Sequence, residues 1–309
     1  MMPYRITNET TRDKSHLLQY FRERGGEKLS ELQRELGSEN YKDIAGRINR
    51  ALSDILQSFL EVVTNTAELE KWTSEDRLRS ILTSTYCAQV AMIDLRNQIW
   101  PYEYMAFSRR VGELWERFVR IPFSYSVKPV KPFVPPLFSE VRSSLREEIE
   151  EYIAVLELAP EQKAELLEYY KKIWILVDSG EINLQLDFHA EIDGKKVNID
   201  FKSGFGSNEK GNTNRLLMVA TIYRNMEDDY ENVLLVRARE NQNNHYFQIL
   251  KDSKVWEAYC GEDAYHKVSD YTGFDLRDWV TVDINWAEDL LHDTTNHFTI
   301  NNLLGYLEW

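Results

Sequence analysis

Between residues 182 and 202 the chain alternates apolar and polar side chains with a period of two, and this stretch constrains the fold more than any other. Ile182, Leu184, Leu186, Phe188, Ala190 and Ile192 fall on one face of an extended strand, with Asn183, Gln185, Asp187, His189 and Glu191 on the other. In the second run Val197, Ile199 and Phe201 share a face opposite Asn198, Asp200 and Lys202. Asp193-Gly194 stands between the runs and predicts a two-residue hairpin turn.

With those two residues as the turn, Ile192 pairs with Lys195, Phe188 with Ile199, and Asp187 faces Asp200. Like charges directly opposed across a pair of strands destabilise it, and a hard divalent cation relieves the repulsion. Lys202 lies diagonally beside the two acids, able to orient or deprotonate an attacking water. A four-residue loop would set Asp187 against Lys202 and keep the same three groups on one face. A three-residue loop with a bulge would change the parity. The acid-x-Lys spacing alone is weak, since Glu161/Lys163, Asp193/Lys195 and Asp252/Lys254 share it. Only Asp200/Lys202 lies inside an alternating strand paired with an acid-bearing neighbour.

Around the hairpin the pattern predicts a mixed α/β protein, a central sheet flanked by helices, preceded by a mostly helical region over residues 1–105. Ile44, Ile48, Leu52, Ile55, Leu56, Phe59 and Val63 recur at helical spacing. Residues 108–120 read as an amphipathic helix with Val111, Leu114, Trp115 and Phe118 inward, ended by the proline-rich stretch 122–136. A charged helical segment covers 140–170 with a break near Ala159-Pro160, and a helix fits 214–226. Strands are expected at 232–239, 246–250 and 279–284, and a helical start to the tail at 286–309.

Hydrophobic content of 43% over 309 residues suffices for a full core without staples. Cys87 and Cys260 have neither metal-type spacing nor the look of a disulfide framework, which fits a reducing cytoplasm. The longest apolar runs, such as 173–177, are far too short to span a membrane, and the first residues lack the apolar stretch of a signal peptide. A net charge of −14 speaks against a surface that grips nucleic acid everywhere. The cations nevertheless cluster at 109–120, 128–131 and 195–215, and the acids at 147–168 and 227–231. No His-Glu-x-x-His pair, Cys/His cluster or Gly-x-Ser-x-Gly elbow occurs. His189 shares the polar strand face with Asp187, where a histidine more often completes a core than acts in catalysis.

The run Leu186-Asp187-Phe188 followed by Asn198-Ile199-Asp200-Phe201-Lys202-Ser203-Gly204 resembles the PD-(D/E)xK nuclease superfamily, in particular the type II restriction endonucleases. Leu186 stands where that motif's proline would be. The resemblance implies that Asp187 and Asp200 bind Mg²⁺ and that Lys202 helps activate water, and it assigns residues 106–309 to the nuclease core. Ser108-Arg109-Arg110-Val111-Gly112-Glu113-Leu114-Trp115-Glu116 is similar to the helix that precedes the sheet and carries a further acid, here Glu116 or Glu113. The loop from Phe205 to Arg215 offers amides and charge to phosphate, with Lys210, Asn212 and Arg215 as candidate DNA contacts. Segments of 256–279 are similar too, with no chemistry attached. The implied partners are double-stranded DNA, a second copy of the chain in a homodimer, and a cognate DNA methyltransferase as functional companion; no membrane is expected. The N-terminal third would serve recognition or dimerisation. A junction or repair nuclease of the same fold, or a non-catalytic interaction protein with a nuclease-like sheet, are the alternatives.

Overall fold

The structure, a computed structural model, describes residues 5–177, 182–226 and 229–309. The side chains of the apolar run 173–177 and the acid-rich positions 227–228 lie outside the described residues.

Three long helices open the chain: α1 (Lys14–Leu36), α2 (Tyr41–Leu69) and α3 (Ser74–Ile99). Each of the apolar positions read at helical spacing lies on α2, and all but Ile55 are buried. Helix α3 is buried nearly all round, between its two neighbours and later parts of the chain, so its small and polar residues Ser80, Ser84 and Gln89 lie inside the protein. Helix α4 (Tyr104–Ser124) buries Val111, Leu114, Trp115 and Phe118 as its periodicity requires. It does not end before Pro122: the proline lies in the last turn, where a missing N–H removes a single helical hydrogen bond, and Tyr125 N–H still reaches the Ile121 carbonyl at 3.0 Å.

Among the described residues one mixed five-stranded sheet forms in the order β1 (Val130–Pro132), β2 (Phe188–Ile192), β3 (Lys195–Lys202), β4 (Tyr230–Val236), β5 (Glu257–Cys260). The first two pairings are antiparallel and the last two parallel. Strand β1 lies within the proline-rich stretch 122–136; as an edge strand it tolerates the missing donor of Pro132. Between β1 and β2 run α5 (Phe138–Val155) and α6 (Pro160–Val177), split where Ala159-Pro160 predicted, with proline at the first helical position.

Helix α7 (Lys210–Arg224) crosses from β3 to β4, and α8 (His245–Asp252) from β4 to β5. The chain closes with α9 (Glu262–Thr272), α10 (Leu276–Asp283), α11 (Trp286–Asp289), α12 (His292–Ile300) and a 3₁₀ turn at Leu304–Leu307. The strands expected at 246–250 and 279–284 are therefore helices. In α8 Phe247 and Leu250 are buried three residues apart, and the Asn244 side chain caps Tyr246 N–H. In α10 Leu276, Trp279 and Val280 form the inward stripe, and Asp275 caps Asp278 N–H. Strand β5, absent from the expectation, is four residues long and too short to declare a period.

Both faces of the sheet are covered. Phe188, Ala190, Val197, Ile199, Phe201 and Leu235 join a core that continues through α4, α9 and α10 to α1–α3. On the other face Leu234 and Val236 pack with Leu216, Val219 and Tyr223 of α7 and Phe247 of α8. His189, Asn198 and Asp200 on the polar side of the hairpin are buried, and a carboxylate there needs compensation. No described helix is long and apolar enough to cross a membrane.

Candidate active site

The turn is the one the sequence announced: Asp193 and Gly194 both have positive φ, 51° and 81°, as a tight hairpin turn of the favoured twist requires. The register follows by counting, with Ile192 opposite Lys195 and Phe188 opposite Ile199. One step further Asp187 comes level with Asp200, but the ladder stops at Phe188 and Asp187 sits in a bend. Residues 182–187, expected as strand, leave the sheet. The Asp187 carboxylate takes over as acceptor, receiving Phe201 N–H at 2.8 Å.

His189 stabilises this departure. Its Nε2 accepts Leu186 N–H at 2.9 Å, which leaves Nδ1 protonated and donating to Asn198 Oδ1 at 2.7 Å. Asn198 in turn donates to Asn232 Oδ1 at 3.0 Å. Burial pushes the His189 pKa down, in keeping with a neutral ring that accepts on one side. The histidine touches the chain beside Asp187 and none of the acids' oxygens.

Lys202 Nζ is in close ion-pair contact with Asp200 Oδ1 and lies 3.8 Å from Asp187 Oδ2. Arg215 Nη2 approaches Asp200 Oδ2 at 3.7 Å, and its Nη1 reaches the Gln185 carbonyl at 3.5 Å. Asp200 is only 1% exposed, and although two cations neighbour it, neither oxygen accepts a hydrogen bond of regular geometry from a described residue. Burial, above all, pushes its carboxyl up to about 6; Asp187 adds to the rise, and Lys202 and Arg215 oppose it.

Helix α4 supplies a third carboxylate. Gly112 packs so near Ser203 that a β-carbon there would lie 3.1 Å from the serine Oγ. One turn on, Glu116 faces the site, its pKa raised by burial and then by the nearby Asp187. Glu113 turns away and pairs with Arg109 at 3.2 Å and Arg110 at 3.5 Å. Of the two helix acids, Glu116 is the one whose carboxyl responds to Asp187 and Lys202, while Glu113 is engaged by arginines of its own helix.

The three candidate phosphate contacts separate. Lys210 is exposed at the start of α7. Asn212 donates to Glu209 Oε2 at 3.0 Å. Arg215, read as a DNA contact, lies beside Asp200. It lies five residues into the helix, a position that loop composition cannot orient.

The donor set suits a hard divalent cation: two carboxylates that share one ammonium between them, one of them buried. Among the described residues no group of three or more His, Cys, Asp or Glu side chains is gathered closely enough to hold a metal ion alone. The protein would supply two ligands, leaving the others to water and a phosphate oxygen, the arrangement Mg²⁺ commonly adopts. Comparison with protein-family models, curated proteins and solved structures finds no match.

Proposed function

We propose that this protein is a Mg²⁺-dependent endonuclease that hydrolyses phosphodiester bonds of double-stranded DNA at specific sites, in the manner of a type II restriction enzyme. The observation that carries the reading is the meeting of Asp187, Asp200 and Lys202 at the end of one hairpin. Support comes also from the mixed sheet flanked by helices and from Glu116 on the helix before the sheet.

In this reading Asp187 and Asp200 hold the cation, which supplies charge neutralisation at the attacking and leaving oxygens. Lys202 orients the water that attacks phosphorus in line with the departing oxygen. Glu116, whose carboxyl pKa is raised by burial and by the charge of Asp187, is assigned to complete the shell around the cation. Lys202 and, to a lesser extent, Arg215 favour the charged form of Asp200 against its burial. Cutting both strands calls for two such sites, so the working unit is a homodimer, and a methyltransferase protecting the host's own sites is the expected companion.

Digestion of plasmid and phage DNA with Mg²⁺ tests the reading. Discrete fragments are expected from the wild type and none from Asp200→Ala, which should still bind duplex. A fully active Asp200→Ala variant overturns the assignment. Intact plasmid alongside cleaved branched junctions would point to a structure-specific nuclease on the same site.

A further inference from the structure

A second polar site begins one residue beyond Lys202. Strands β3, β4 and β5 end at Lys202, Val236 and Cys260, and the next residue of each, Ser203, Arg237 and Gly261, lines a cleft of about 530 Å³. Arg239 and Arg277 line it as well. Ligands of parallel sheets bind characteristically outside the carboxyl ends of the strands.

The three guanidinium groups are not equally engaged. Arg277 pairs with Glu262 Oε1 at 2.6 Å and donates to the Trp309 carbonyl at 2.6 Å, so its charge is balanced. Among the described residues the Arg237 side chain donates only to the Tyr306 carbonyl, at 3.0 Å, and its buried Nε has no acceptor. Arg239 is exposed, with its stem lying against Gly261, where a β-carbon would fall 3.5 Å from Arg239 Cγ. Among the described residues neither Arg237 nor Arg239 has a carboxylate partner. A largely enclosed guanidinium with no counter-anion is costly, and the planar fork matches two oxygens of a phosphate.

We infer that this cleft binds a phosphate of the DNA backbone close to the bond being cut, with Arg237 and Arg239 as donors. The inference rests on the nuclease reading for its ligand and on the unmatched arginines for its place. A contact here would register the duplex against Lys202 through Ser203, without reading bases.

The test measures binding of a fluorescein-labelled duplex in EDTA, across a salt series, by anisotropy. Arg239→Ala, an exposed change with little bearing on folding, is expected to weaken binding by about 3–10-fold and to reduce the slope of log K against log salt by about 1. Arg239→Lys should restore most of the slope. Wild-type binding and cleavage with Arg239→Ala unchanged in affinity and slope overturns the cleft and leaves the nuclease reading standing. A wild type that neither binds nor cuts duplex overturns the nuclease reading and the backbone assignment together. Orthophosphate that raises the melting temperature of the wild type but not of Arg239→Ala, with DNA binding equal in both, assigns the cleft to free phosphate and overturns the backbone contact.

Discussion

Replacing Asp200 by Asn should make the metal-free protein more stable while abolishing its activity. The carboxyl is pushed up to about 6 from an ordinary 3.8, chiefly by burial, and this value already includes the attraction of Lys202 and Arg215. Because the folded value lies above the unfolded one, the carboxyl's contribution to stability is fully present below about pH 4 and is lost as pH rises through about 6. A shift of roughly 2 units costs about 3 kcal/mol once the group is ionised, and about half of that has accrued by pH 5. Asn keeps the shape and removes the charge, but sets an amide beside two cations, so the expected net gain is about 1–3 kcal/mol at pH 8. For a chain of this size that is roughly 2–6 °C in melting temperature. Thermal unfolding in EDTA at pH 8 and pH 5, wild type against Asp200→Asn, reads it directly, and differences common to both proteins cancel. The gain should fall by about 1.5 kcal/mol at the lower pH. Added Mg²⁺ should raise the wild type's melting temperature and leave the variant's unmoved. A variant less stable than wild type at pH 8, or a gain independent of pH, would show that burial does not destabilise the charged Asp200.

Lys202→Met should retain duplex binding and lower the cleavage rate by about 10²–10⁴-fold, measured by single-turnover digestion, because the residue orients water rather than holding DNA. Gly112→Leu should lower activity by forcing α4 from Ser203 and carrying Glu116 with it; Ser203→Gly in the same chain should recover part of the loss in a cleavage assay. His189→Leu strands Leu186 N–H and Asn198 Oδ1, costing about 2–4 kcal/mol in a denaturant titration, whereas His189→Gln, able to accept and donate, should cost less than half as much.

The hairpin was legible in the sequence because two local rules agreed: the turn residues set the register and the period of two set the faces. The same period misplaced the strand's start, since residues 182–187 keep their alternation after leaving the sheet. Side-chain bonds from Asp187 and His189 to backbone N–H groups replace the ladder there, and no periodicity records them. Short runs such as 246–250 and 279–284 fit both periods, and the caps Asn244 and Asp275 were the signals that favoured helix. That His189, Asn198 and Asp200 are buried is a tertiary fact. The close packing of Gly112 on Ser203 and the approach of Arg215 to Asp200 both required the helices' placement against the sheet. The arginine cleft gathers residues from three strand ends, α10 and the tail, a combination that no local pattern joins.

Whether Asp187 and Asp200 jointly hold a divalent cation is tested most directly by anomalous diffraction from crystals soaked in Mn²⁺. A single strong peak in contact with both carboxylates is expected, with the Lys202 ammonium withdrawn from Asp200, and no peak in Asp200→Asn crystals. Wild-type crystals without a peak at that place, in a soak that otherwise labels the protein, would contradict it.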